Sequence, residues 1–382
     1  MITKLKDDSF NKMKKNLTYR PIKPLLANRY SLIKELKFID KNRYYSNYGP
    51  LYYKLKLKFE KFLRLKKNNI VFSSSGHSSL LACCIYLRSI SKKKYIIIPS
   101  FCYYSDIQAI ILSGFEPIFI DIEINNLIIN ENMITNLTKK YDIAGIIFVS
   151  PFGYPISLNK LNLIKKKFSF EVIYDAADTF INFDKYTDKS NILITCSFHP
   201  TKSIPGNESG LIICNKKIHK NFESILNFGF VGKKRLVKYT GFNGKFSEYD
   251  AAILGANFKN YKKRKKLYKE KINYFTSLMK NFENVRFQNN YGKNWFGRTI
   301  LIIPKKKINY DLLKKKMKKK RIDIYKPWSL RPIHKEKIYK KFKRTSLKNT
   351  EFITNNSFAI PFYLDQPNKE LKYISEMIKK FI

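Results

Sequence analysis

Lys202 is the only Lys or Arg between Ser190 and Asn215, in a chain whose basic residues otherwise come in runs such as "KKRKK" and "KKKMKKK". It sits in "CSFHPTKSIPGNESG", after a polar and aromatic stretch and before a glycine-containing turn. An isolated amine in a dry, polar setting suits Schiff-base chemistry, because burial disfavours an ammonium and frees the nitrogen lone pair. Solitary lysines also simply end loops, so the neighbouring motifs must decide. Three do so. "VFSSSGHSSLLACC" reads as a strand, a Ser/Gly loop and a helix start, where the free amides of Gly76 and His77 could bind a phosphate or merely belong to a cap. "EVIYDAADTF" puts Asp175 at the end of a strand, where a buried carboxylate needs a cation, either a protonated ring nitrogen or a structural Arg or Lys. "PSFCYYSD" ends another strand with aromatics that could stack on a flat ring or join the core. A phosphate cradle, an aromatic plate, a carboxylate and a lone amine are together what pyridoxal phosphate requires.

These residues need a scaffold that brings strand ends together. Lys and Arg are absent from Val71 to Leu87, Tyr95 to Thr138, Asp142 to Asn159 and Phe168 to Asp184. An unpaired buried ammonium is costly, so these tracts mark the interior. Within them or close by run short β-branched segments: "NIVF", "YIIIP", "EPIFIDI", "AGIIFVS", "EVIYDAA", "ILITCSF" and "GLIICN". Helix-like segments such as "SSLLACCIYLRSI", "SDIQAIILSG" and "LNKLNLIKKKF" separate several of them. The alternation predicts an α/β domain with a mainly parallel central sheet. The last strands follow one another too closely for crossover helices, which predicts some antiparallel pairing. After Ser247 the pattern becomes one long amphipathic helix, a strand "RTILIIP", a basic helix "YDLLKKKMKKK", a short strand "IDIY" and a closing helix. The expected organisation is an entry segment over 1–46, opening on a mobile arm of about twenty residues, a large α/β domain over 47–255 and a smaller α+β domain over 256–382.

Composition sets the outer limits. The 382 residues carry 75 Lys and Arg against 29 Asp and Glu, a net charge of +46. Lys far outnumbers Arg, and Asn, Ile, Tyr and Phe are abundant, the pattern an AT-rich genome imposes on solvated positions. A nucleic-acid binder would instead need clustered Arg and exposed aromatics on one face. The charge does predict attraction to phosphorylated substrates and a strong salt dependence. Five cysteines without a CxxC and four scattered histidines without HExxH predict no metal site and a reducing compartment. The absence of an apolar leader or membrane-length segment predicts a cytoplasmic protein.

In order along the chain, these motifs resemble the DegT/DnrJ/EryC1/StrS aminotransferases, fold-type-I enzymes that aminate nucleotide-linked keto-sugars. "SSGHSSL" stands where the family has its phosphate loop. "IIIPSFCYYSDIQAIILSGFEPIFIDI" is similar to its strand, aromatic turn and helix, and "FVSPFGYP" to its Y-G-x-P segment. "VIYDAAD" resembles E-D-A-A, "CSFHPTK" resembles S-F-x-P-x-K, and "GFNGKFSEYDAAILGA" is similar to the family's G-x-N-x-R element. The resemblance runs from about Asn47 to the C-terminus. It implies that Lys202 bonds pyridoxal 5′-phosphate and carries the proton, and that Asp175 holds the pyridine nitrogen protonated. Tyr103 would stack on the ring, Gly76, His77 and Ser197 would hold the phosphate, and position 178 would lie beside the cofactor. Asn243 would reach the phosphate of a neighbouring subunit, which implies a homodimer with shared sites. The implied partners are a nucleotide-linked sugar and an amino-acid donor, glutamate by family habit. Three positions depart from the pattern: His77 replaces Thr or Ser, Asp178 replaces Gln or His, and Lys245 replaces Arg. The departures leave open divergent chemistry or a sugar-sensing role on the same fold. The intact Lys202 argues against the dehydratase branch, which has His there.

Overall fold

The computed structural model describes residues 22–183 and 191–382. The arm expected over the first twenty or so residues lies outside them. Seven strands form one sheet: β1 (Ile70–Ser73), β2 (Tyr95–Pro99), β3 (Glu116–Ile120), β4 (Ile143–Val149), β5 (Glu171–Asp175), β6 (Leu193–Ser197) and β7 (Gly210–Ile213). Their order is β1-β7-β6-β5-β4-β2-β3. The run from β3 to β6 is parallel, and β7 is antiparallel to both β1 and β6. The short β6–β7 connection dictates that reversal, because a parallel return needs a crossover. Both faces are covered. Ile97 packs into one apolar cluster while its neighbours Ile96 and Ile98 pack into another, so these strands are apolar throughout rather than alternating.

Helices Gly76–Ile90 and Tyr104–Leu112 follow β1 and β2, and Leu158–Phe168 follows β4. Helix Pro50–Phe62 is capped from a distance: the buried Glu248 carboxylate accepts from the N–H groups of Leu51 and Tyr52 at 2.7 and 2.9 Å. An anion on first-turn amides satisfies donors that the helix itself cannot. Under the C-terminal end of β6, Phe59, Phe180, Phe198 and Phe258 interlock. Ring centroids lie 4.2 Å apart for Phe59–Phe258 and 5.1 Å for Phe180–Phe198. Each such buried side chain stabilises by about 1.5–3 kcal/mol, enough to anchor the loop that carries Lys202.

Beyond the sheet, β8 (Phe230–Val231) and β9 (Leu236–Val237) make a small hairpin. β10 (Val285–Arg286), β11 (Leu301–Pro304) and β12 (Phe358–Ala359) form an antiparallel sheet of three. Two expectations are corrected here. The long helix after Ser247 is two helices, Glu248–Lys259 and Tyr261–Leu278, interrupted at Asn260. Just before the break, the Asn257 amide donates to the Ile253 carbonyl at 3.0 Å and its oxygen accepts from Arg264 at 3.1 Å. Such local side-chain bonds compete with the helical ladder. "IDIY" contributes only a bridge from Tyr325 to Ala359, and β12 takes the sheet position instead. Among the described residues no helix is long and apolar enough to cross a membrane, and no group of His, Cys, Asp and Glu could hold a metal ion.

Candidate active site

β5 ends at Asp175 and its neighbour β6 ends at Ser197, so both side chains leave the sheet at the same edge. Gly76 arrives from β1, which lies beyond β7. Gly210 closes that gap. It pairs with both Ser73 and Ser197, and a Cβ there would collide with the Ser75 carbonyl and the Ser73 hydroxyl. Gly76 then packs so tightly that an added Cβ would stand 2.7 Å from the Ser197 Cβ. The loop between Ser73 and the helix is tied by serines. Ser75 Oγ accepts from Ser78 N–H at 3.0 Å, and the Ser74 and Ser78 hydroxyls lie 2.9 Å apart. Gly76 and His77 occupy the first turn, where amides have no intrahelical acceptor. Two amides, the Ser197 hydroxyl and a helix N-terminus together fit a phosphate.

The His77 ring is committed elsewhere. Its Nδ1–H donates to the Ser105 carbonyl at 3.2 Å, and burial pushes its pKa down, which keeps it neutral. The side chain that departs from the expected pattern therefore braces the next loop and leaves the backbone donors intact.

Lys202 is held through its backbone, with its N–H donating to the His199 carbonyl at 2.8 Å. Among the described residues its amine makes no hydrogen bond or salt bridge, yet it lies close enough to draw on Asp175, Cys196 and His199. It lines two narrow crevices. One, of about 10 Å³, also touches Asp178 and Ser197; the other, of about 20 Å³, touches Arg264, Tyr268, Arg298 and Lys23. Asp175 is buried and accepts from Ala177 N–H at 2.9 Å. Burial pushes its carboxyl up, against the pull of Asp106, the Lys202 amine and the Ala177 amide.

Asp178 faces a partner that sequence reasoning missed. Arg298 Nε lies 4.0 Å from Asp178 Oδ2, while Asp178 Oδ1 and Arg298 Nε have no hydrogen bond. The clue was slight: an Arg in a chain dominated by Lys, directly before the apolar strand in "FGRTILIIP". His199 is oriented by its own loop. Its Nε2–H donates to Glu208 at 3.2 Å, while Nδ1 accepts from the Thr201 amide at 3.2 Å and the Thr201 hydroxyl at 2.8 Å.

Gly76, Ser197, Asp175, Asp178 and Lys202 thus come together, with His77 at the cradle's rim. Tyr103 stands at the start of helix Tyr104–Leu112, half exposed, its ring edge-on to Tyr104. Asn243 is exposed, pairs in the backbone with Asn227, and does not line either crevice beside Lys202. Lys245 donates to Asn227 Oδ1 at 3.0 Å and lies over the Phe228 ring at 4.7 Å.

Comparison with known proteins identifies the family and the fold. The model of the DegT/DnrJ/EryC1/StrS aminotransferase family matches residues 28–379. The chain is 28% identical to a dTDP-4-amino-4,6-dideoxy-D-glucose transaminase of Shigella dysenteriae over 233 residues, which span 60% of this chain and 62% of the relative's length. It is 23% identical to a GDP-perosamine synthase of Escherichia coli O157:H7 over 338 residues, 83% of this chain and 87% of that protein. Its fold matches Helicobacter pylori PseC, an aminotransferase involved in pseudoaminic acid biosynthesis, with a TM-score of 0.81 at 18% identity, covering 95% of this chain and 98% of the other.

Proposed function

The chain belongs to the DegT/DnrJ/EryC1/StrS aminotransferase family, and we propose that it is a pyridoxal-phosphate-dependent enzyme that aminates the ketone of a nucleotide-linked sugar. Glutamate is the proposed donor and surface polysaccharide synthesis the proposed setting. The observation that carries the reading is the convergence of a cradle with free amides, a buried carboxylate and an unpaired amine on one sheet edge.

Pyridoxal phosphate, when bound, supplies an electron sink for a carbanion at the amino-bearing carbon. The remaining tasks fall to side chains of this chain. Gly76 and His77 amides with Ser197 Oγ hold the phosphate, and the tight Gly76–Ser197 contact fixes their spacing. Asp175, oriented by Ala177 N–H, holds a proton at the ring nitrogen. Lys202 Nζ would anchor the ring and carry the proton between the substrate carbon and the cofactor, and no hydrogen bond or ion pair among the described residues competes for it. Tyr103 covers a ring face. Arg298 neutralises Asp178, so that carboxylate need not repel the ring's oxygen. Asn243, exposed in its own chain, would reach the phosphate of a second copy, which would make the proposed enzyme a homodimer. The +46 charge draws a diphosphate-linked substrate toward the cleft.

Reconstitution tests the reading. Protein incubated with pyridoxal phosphate should gain a violet-absorbing band, and borohydride should fix the cofactor irreversibly to the peptide that contains Lys202. Aminated nucleotide-sugars should then shift the band of the unreduced protein. A protein that stays colourless, or a label on another lysine, would overturn the proposal.

A further inference from the structure

Asp106 is a buried acid that the mechanism above does not use. It lies in the first turn of helix Tyr104–Leu112 with no solvent exposure, and neither carboxyl oxygen has a hydrogen-bond donor. Its side chain instead meets that of Asp175, within hydrogen-bonding reach. The other titratable groups facing the pair are Cys84 and Cys102 around Asp106, and Cys196, Lys202 and Asp178 around Asp175. Both nearby thiols on the Asp106 side are buried and uncharged, their own pKa values pushed up by burial. Among the described residues no cation acts on Asp106 to neutralise a second carboxylate.

Two ionised carboxylates in contact in a dry interior repel strongly, and one must keep its proton. Lys202 and the Ala177 amide both act on Asp175, so the anion belongs there and the proton on Asp106. Burial first, and then the Asp175 charge, push the Asp106 carboxyl well up; the nearby Tyr103 and Asp106 amides oppose this only in part.

We infer that Asp106 is a positioning residue: buried and otherwise unpartnered, it donates an O–H to Asp175 and fixes that carboxylate's orientation. The inference rests on the reading of Asp175 as the ring-nitrogen partner only for its consequence, since the shared proton belongs to the chain itself. With one oxygen held by Ala177 N–H and the carboxylate braced by Asp106, Asp175 keeps a single direction in which to accept a third donor. A neutral donor also lowers the basicity of Asp175, so Asp175 does not remove the proton it is there to hold.

The test uses the full-length chain, with and without pyridoxal phosphate. At neutral pH, infrared spectra of the wild type should contain an un-ionised carboxyl band that Asp106→Asn removes. Absence of the band, or its survival in the variant, would overturn the inference. Linkage gives a second reading. The folded wild type retains a proton that the unfolded chain, with an ordinary Asp pKa of about 3.9, releases. Wild-type stability therefore falls relative to Asp106→Asn as pH rises above about 4, by up to tenfold in the folding equilibrium per pH unit. A ratio that is flat between pH 4 and 7 would mean an ionised Asp106 and would equally overturn it. For the cofactor, Asp106→Asn, whose amide can still donate, should keep pyridoxal phosphate affinity within about threefold, while Asp106→Leu should lose at least about tenfold. Equal affinities in the two variants would refute the positioning role. Failure of the wild type itself to bind the cofactor would instead remove the proposed function, leaving the infrared band to decide the shared proton.

Discussion

Two of the regions where this molecule buries charge treat it in opposite ways. Helix Lys348–Asn356 is gripped at both ends. At its start, buried Asp121 accepts from the amides of Asn349 and Thr350 and from the Thr350 hydroxyl at 2.9, 2.8 and 2.7 Å, and from the Ile122 amide at 2.9 Å. At its end, Lys326 Nζ donates to the carbonyls of Thr354, Asn355 and Ser357 at 2.7, 2.8 and 2.6 Å. The cleft at β5 and β6 has the same residue types with their needs unmet: Lys202 without a bond, Asp175 with one amide, Asp106 with no donor but a shared proton. A structural charge is saturated by its own chain. A charge meant for a ligand is left short of partners, and the fold bears the cost of desolvating it.

The sharpest way to break that contrast is Lys202→Ala. It removes no hydrogen bond of the fold, so the melting temperature should hold within a degree or two. Amine transfer should fall by about 10⁴-fold or more, the loss expected when a proton-carrying group disappears. A variant that melted much earlier would show that the amine is structural after all. Asp121→Ala should do the reverse. Its four orphaned donors predict a loss of about 3–5 kcal/mol in denaturant unfolding, with an unchanged cofactor spectrum in whatever fraction stays folded.

Lys326→Met is milder and carries a pH signature. Three carbonyls lose their donor, for a cost of about 2 kcal/mol. Burial also pushes the Lys326 pKa down to about 8, whereas the unfolded chain keeps an ordinary Lys value of about 10.4. Between those values the unfolded wild type binds more protons than the folded one, so wild-type stability rises with pH there. The gap between wild type and Lys326→Met should therefore widen from about pH 8 to 10.4 and stay level below; unfolding curves at several pH values would expose any other trend.

The same contrast explains what the sequence made legible. Lys202, Asp175 and Gly76 stood out because each interrupts a tract depleted of its own kind or closes a strand, and strand ends in a parallel sheet converge by topology. Arg298 and Asp106 did not. Arg298 reaches the cleft from a segment nearly a hundred residues beyond Lys202, with no spacing to betray it. Asp106 in "YSDIQAI" looks like an ordinary first-turn acid favoured by the helix dipole, a position that is usually solvated. Only the approach of β5 makes it a buried partner. The break at Asn260 was hidden for a related reason: the apolar stripe continues across it, and a side chain bonding to backbone leaves no mark in periodicity. Asn243 is a different case: the Gly244 carbonyl beside it accepts from Ser74 N–H of the cradle loop at 2.8 Å, yet Asn243 itself lines neither crevice beside Lys202.

Gly76→Ala, the smallest effect, puts both treatments of polar groups into one loop. Ser78 N–H is satisfied by Ser75, whereas the amides of Gly76 and His77 are open. Alanine is the better helix former by about 1 kcal/mol, which favours the variant's fold. Its Cβ would press on Ser197 at 2.7 Å, and the strand end must yield to make room. The two terms offset in stability, so the melting temperature should move little. The open amides and the Ser197 hydroxyl should lose their common focus, and affinity for pyridoxal phosphate should drop about tenfold, near 1.4 kcal/mol. If calorimetry moved while cofactor affinity held, Gly76 would serve only the packing of the helix start against the end of β6, and the cradle would have to lie elsewhere on this edge.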